Sequence, residues 1–177
     1  MLLLVGEPVG KKRQRSIISA GELERLEAIK RLAIVAMFSD DLLMEKLVLK
    51  GGNAIDLVYR IAPRASMDLD FSMPGEFDKT SLPEIKDRLA NAIGRTFEES
   101  GYRVFDVEFV ERPERVSPEV SSFWGGYVLE FKIIEAVRFG QLEHDQGALR
   151  RNATVVAGNQ KRTFRVDISK FEYCDAK

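Results

Sequence analysis

The residues best suited to chemistry in this sequence are Asp68 and Asp70, set in the stretch Arg64-Ala-Ser66-Met-Asp68-Leu-Asp70-Phe71. Side chains of a strand alternate between its faces, so Asp68 and Asp70 would share one face while Leu69 and Phe71 take the other. Two carboxylates brought to 4 Å repel by about 4 kcal/mol at an effective dielectric of 20. A fold gains nothing from that arrangement unless a cation offsets it. Magnesium does so with all-oxygen ligands and often shares them with substrate phosphates; manganese is a possible substitute. A lone Asp-x-Asp is common by chance, and its plain reading is two solvated aspartates at a strand end.

A second feature lies fewer than twenty residues upstream, in Leu47-Val-Leu-Lys50-Gly51-Gly52-Asn53-Ala54. It reads as a strand, a glycine turn and the start of a helix. Glycines let the backbone come close to a ligand, and the first N–H groups of a helix bind anions. An ordinary strand-to-helix turn would look the same. Beside a carboxylate pair, however, a phosphate cradle completes the minimal apparatus for nucleotidyl transfer. A third carboxylate, acting on the attacking hydroxyl, is offered by Phe164-Arg-Val166-Asp167-Ile168-Ser169, where Asp167 alternates out of an apolar strand with Arg165 and Ser169. Glu130, between Leu129 and Phe131, is its rival by the same alternation. The structural alternative for Glu130 is a salt bridge with Lys132 or Arg138, which is the preferred reading.

The elements that must position these residues follow from periodicity. A helix is expected from Ser19, whose spacing to Glu22 is that of a capping box. Leu23, Leu26, the stem of Lys30, Ala33, Ile34 and Met37 form its apolar face. Ser39-Asp40-Asp41 ends it and caps a short second helix reaching Lys46. Residues 47–49 are a strand, and Ala54, Ile55, Leu57 and Val58 suit a helix that Pro63 ends. A strand over 68–72 turns at Pro74-Gly75. Ser81 and Glu84 repeat the capping-box spacing before a stripe of Ile85, Leu89, Ala92, Ile93 and Phe97, which Gly101 stops. Strands are expected at 102–110, 127–134 and 162–169, with a mixed segment around 140–152. This order predicts an α/β (α+β) fold, a mixed twisted sheet with helices packed on it.

Composition narrows the classes. The length of 177 residues suits one domain, 45% hydrophobic and 31% charged residues suit a globular chain, and a net charge of −1 excludes a globally basic nucleic-acid binder. One cysteine, Cys174, and one histidine, His144, provide neither an internal disulfide nor a zinc cluster. The reading is a cytoplasmic protein with no membrane association. Residues 1–18 read as an irregular basic arm and 19–177 as the domain. Arg150, Arg151, Lys161, Arg162 and Arg165 form an acid-free stretch, either a surface for RNA phosphates or a solvated hairpin. His144-Asp145 reads as a surface turn, and Trp124 as an anchor rather than a base-stacking platform.

The two motifs at this spacing resemble the AbiEii/AbiGii-type nucleotidyltransferase toxins, whose pattern is Leu-Lys-Gly-Gly-Thr-Ala, one helix, then Arg-x-Ser-x-Asp-Leu-Asp-Phe. The resemblance implies a polymerase-β-type nucleotidyltransferase fold. It implies magnesium on Asp68, Asp70 and Asp167, and a nucleotide-binding set of Lys50, Gly51, Gly52, Asn53, Arg64 and Ser66. It further implies a toxin of a toxin–antitoxin or phage-defence system, with an antitoxin partner and a tRNA 3′ end as acceptor. Asn53 stands where the family has Thr or Ser, and an amide still donates to phosphate. The family continues beyond its third acid into a helical region, which this chain, stopping at Lys177, is expected to lack. Two alternatives stand beside this reading. One is transfer to a small-molecule or protein hydroxyl; the other, from a different class, is a non-catalytic remnant that binds nucleotide or a partner.

Overall fold

The computed structural model describes residues 20–50, 68–113, 125–156 and 160–172. The arm at 1–18, the capping Ser19, the turn Gly51-Gly52-Asn53 with the helix after it, Arg64, Ser66, Trp124 and Cys174 lie outside the described residues.

Helix α1 (Ala20–Met37) is followed by α2 (Asp41–Lys46), whose N-cap Asp40 accepts from the N–H groups of Leu42 and Leu43. Strand β1 (Val48–Leu49) comes next, then β2 (Leu69–Ser72) and helix α3 (Leu82–Glu99). The capping box expected at Ser81 does not form. Ser81 makes no side-chain cap; the chain enters α3 through a 3-10 turn, Lys79–Ser81, which Asp78 caps through the Thr80 N–H. Glu84 pairs instead with Arg88, one helical turn on. At its other end, α3 stops where Gly101 takes φ +81, a left-handed conformation that glycine adopts without steric cost.

Strands β3 (Tyr102–Arg112) and β4 (Gly126–Glu135) form an antiparallel pair, and short helices α4 (Ala136–Leu142) and α5 (Gln146–Asn152) lead to β5 (Phe164–Ser169). The sheet order is β1-β2-β5-β4-β3, with β2 and β5 parallel and the other neighbours antiparallel. The mixed sheet with helices on it is the architecture expected from the element order, and the helix pair α4–α5 resolves the segment that periodicity left mixed.

One face of the sheet is dry. Leu69 and Phe71 of β2, Phe164, Val166 and Ile168 of β5, and Tyr127, Leu129, Phe131 and Ile133 of β4 are buried there with Ile29, Ala33 and Met37 of α1. All five stripe residues of α3 (Ile85, Leu89, Ala92, Ile93 and Phe97) are buried. Phe97 meets Phe131 edge-on at 5.8 Å, and Phe131 stacks on Phe164 at 5.0 Å, so helix and two strands share one aromatic seam. Each such side chain contributes about 1.5–3 kcal/mol on burial. Because that face is committed to the core, the alternate residues of β2, β4 and β5 are driven to the opposite face, where the polar groups lie.

Candidate active site

Strand register decides which polar groups meet. Asp70 lies directly opposite Asp167 across the parallel β2–β5 pair. The N–H of Lys50 donates to the Asp70 carbonyl at 2.9 Å, extending the β1–β2 ladder by one residue. Lys50, Asp70 and Asp167 thus form one row across three strands. In the neighbouring row Arg165 lies opposite Glu130 of β4, and Asp68, one residue ahead of β2, comes level with Arg165 by the same register. Glu108 of β3 lies opposite Glu130 and closes that row. The structure therefore brings Asp68, Asp70, Asp167 and Lys50 to one face, with Glu130 one strand farther from Asp70 than Asp167 is.

The charges on this face are largely matched. Arg165 grips Asp167 with two hydrogen bonds, 2.8 Å from Nε to Oδ2 and 2.7 Å from Nη2 to Oδ1. Its Nη1 stands 3.5 Å from Glu130. Glu130 therefore answers Arg165 and not Lys132 or Arg138, the partners expected from its neighbours in sequence. Lys132 is taken by Asp106 at 3.1 Å, and Arg138 bonds Gln141 and Asn152. The hydrogen bonds to Asp167 raise the Arg165 pKa above its ordinary value, with Coulombic support from Asp167, Glu130 and Asp68 against some desolvation. Lys161 holds Asp68 at 3.0 Å. Lys50 reaches along the face to the Ser169 hydroxyl at 3.0 Å and to Glu172 at 2.8 Å. Among the described residues, the Asp70 carboxylate has no cationic partner.

The basic stretch read as a possible RNA surface is largely consumed by such pairs. Arg150 binds Asp106, Arg151 pairs with Asp145 at 3.8 Å, Lys161 and Arg165 serve the site, and Arg162 donates to the Ala153 carbonyl. Asp145 caps α5 by accepting from the Ala148 N–H, and His144 is exposed beside it.

A cleft of about 380 Å³ opens beside Asp167, walled by Arg165, Ser169, Lys170, Gly126 and Tyr127 among others. Lys170 carries a signal that sequence reasoning missed. Its side chain is only 4% exposed, held between Glu76 and Glu111 and lying over the Tyr127 ring at 5.2 Å. Burial pulls its pKa down, but the hydrogen bonds to Glu111 and Glu76 outweigh that and leave it above the ordinary lysine value. The two acids come from a loop and a distant strand, so no local spacing announces them.

In donor chemistry this face fits a hard divalent cation: carboxylates only, with Asp70 and Asp167 abreast and Asp68 on the same face. Among the described residues, no three acid, histidine or cysteine side chains are gathered so as to hold a metal as they stand. Asp68 and Asp167 are instead engaged by Lys161 and Arg165, which supply positive charge to this face.

Among proteins of curated function, none matches the chain. Comparison with protein families does find a match, spanning residues 33–173 and so the entire sheet and both rows of its polar face. The family is that of the nucleotidyl transferase AbiEii toxins of type IV toxin–antitoxin systems, and this chain belongs to it.

Proposed function

We propose that this nucleotidyltransferase moves a nucleoside monophosphate from a nucleoside triphosphate to an RNA hydroxyl, the 3′ end of a tRNA, in the cytoplasm. Family membership brings a triphosphate donor and an antitoxin partner. The observation that carries the site assignment is the pairing of Asp70 with Asp167 on adjacent parallel strands, beside an open cleft.

In this reading the acceptor oxygen bonds to the α-phosphorus, the bond from that phosphorus to the β-phosphate oxygen breaks, and pyrophosphate leaves. Asp167, on the cleft wall, takes the acceptor's proton. Lys50, in the row with Asp70, turns its ammonium to the leaving phosphates, together with the backbone of Gly51, Gly52 and Asn53 and the side chains of Arg64 and Ser66. Magnesium held by Asp68, Asp70 and Asp167 would supply Lewis-acid charge at the reacting phosphate and acidify the attacking hydroxyl. Glu130, bound to Arg165 one strand away, orients that guanidinium.

The test is direct. The purified chain, given magnesium, each α-labelled triphosphate in turn and total tRNA, should place label on the tRNA 3′ end. Asp70→Asn should lower the rate by at least about a hundredfold, the scale on which loss of one electrostatic stabiliser is felt. Label appearing on a small molecule or on protein, with tRNA unlabelled, would replace the acceptor; an equal rate in Asp70→Asn would remove the site.

A further inference from the structure

We infer that Arg165 is a resident counter-ion of the carboxylate row, displaced from Asp167 when a divalent metal binds, and that the freed guanidinium becomes the cleft's contact for the triphosphate. This inference rests on the reading of Asp68, Asp70 and Asp167 as metal ligands.

Four observations support it. The guanidinium sits on the atoms a metal would need, since both Asp167 carboxylate oxygens accept from it at 2.7 and 2.8 Å. Its row neighbours are acids on both sides, Asp68 and Glu130, so it answers the charge of the group rather than of one partner. The pair is also weakly held by its surroundings. Arg165 is 39% and Asp167 35% exposed, and both belong to one strand two residues apart, so the fold loses little by parting them. Finally, Arg165 and Asp167 both wall the same cleft, so a guanidinium released from the carboxylate is already where an anion would enter. A planar fork of N–H donors suits phosphate as well as carboxylate.

Chemically, the device balances charge. Without metal, Asp68, Asp70, Asp167 and Glu130 share one face of the central strands, and their repulsion would strain the β2–β5–β4 part of the sheet. Lys161, just ahead of β5, and Arg165, on β5, offset it. A divalent cation brings more charge and more oxygen ligands than one guanidinium can match, so the carboxylate changes partner. The arriving triphosphate then supplies the negative charge that Arg165 has lost.

The experiment uses the full chain with Arg165→Gln and Arg165→Lys, and Asp70→Asn as reference. Circular dichroism melting checks folding; Arg165 points away from the core, so the variants should remain folded. Mn²⁺ binding by calorimetry should tighten about tenfold in Arg165→Gln, the scale of removing one competing charge-assisted pair, and less in Arg165→Lys. Inorganic triphosphate in saturating magnesium, a probe without a base, should bind about tenfold more weakly to Arg165→Gln and nearly normally to Arg165→Lys. Unchanged or weaker Mn²⁺ binding in Arg165→Gln, with Asp70→Asn still losing the metal, overturns the displacement and leaves the metal site in place. Unchanged triphosphate binding overturns the handover. Absence of Mn²⁺ binding in wild type and Arg165→Gln alike overturns the metal reading and this inference with it.

Discussion

Asp106 shows how one residue can be tied to the fold by side chains remote from it in sequence. It sits at φ +50 in β3, where the register with β4 shifts between Phe105 and Glu108, and its carboxylate is only 15% exposed. Arg150 of α5 grips it at 2.7 and 3.0 Å, and Lys132 of β4 reaches it at 3.1 Å. The Arg150 hydrogen bond is the largest cause holding its pKa below the ordinary 3.8, with Lys132 adding to it against desolvation. A depressed folded pKa means that the stabilisation is present in full above about pH 4 and is lost as pH falls through the lower, folded value. Asp106→Asn should cost about 1–3 kcal/mol at neutral pH, because the cations around it lose their partner. Urea midpoints measured from pH 6 to pH 3 should then fall less steeply for the variant than for wild type. Parallel curves would show that the acid sensitivity comes from other carboxylates.

At the scale of elements, the β4–β5 pair is what carries Asp167 to its place. At Gly126, opposite Ser169, an added Cβ would collide with the Ile168 carbonyl oxygen. Only a hydrogen fits there, and Ser169 and Lys170 on the cleft wall depend on that closeness. Gly126→Ala should destabilise the protein by about 1–3 kcal/mol, the usual cost of overpacking. It should also reduce transfer more than an equally destabilising change on the far side of the core, such as Ile85→Val. Thermal melts and initial rates on both variants make the comparison. Equal losses of activity would mean that the β4–β5 spacing matters to stability alone. The α3 stripe was legible because its period is that of a helix and all five residues face one core. The Ser81 cap was misplaced for a local reason: Asp78, three residues earlier, offers a carboxylate to Thr80 and starts the turn first.

For the whole molecule, metal binding and folding should be linked. A ligand that binds only the folded state at a hundred times its Kd adds about 2.7 kcal/mol of stability. Magnesium should therefore raise the melting temperature of the wild type, a chelator should reverse it, and Asp70→Asn/Asp167→Asn should respond to neither. That double variant should melt no lower than wild type in metal-free buffer, since it removes like charges facing each other across β2 and β5. An identical magnesium shift in the double variant would place the binding elsewhere on the molecule. No described helix is long and apolar enough to cross a membrane.

The sequence by itself determined the long helices, the strands, the dry and polar faces of β2 and β5, and the family. Alternation at 68–71 and 164–169 depends only on the two-residue period of a strand, and a short run of residues is enough to read it. Which strands lie side by side is a different kind of fact. Asp70 meets Asp167 only because β5 enters the sheet between β2 and β4, an outcome of packing all the apolar faces at once. The same closure gave Glu130 a partner thirty-five residues away in Arg165, where local spacing had offered Lys132, and it buried Lys170 between Glu76 and Glu111. Ion pairs across strands are set by register, and register is a property of the assembled sheet rather than of any one segment.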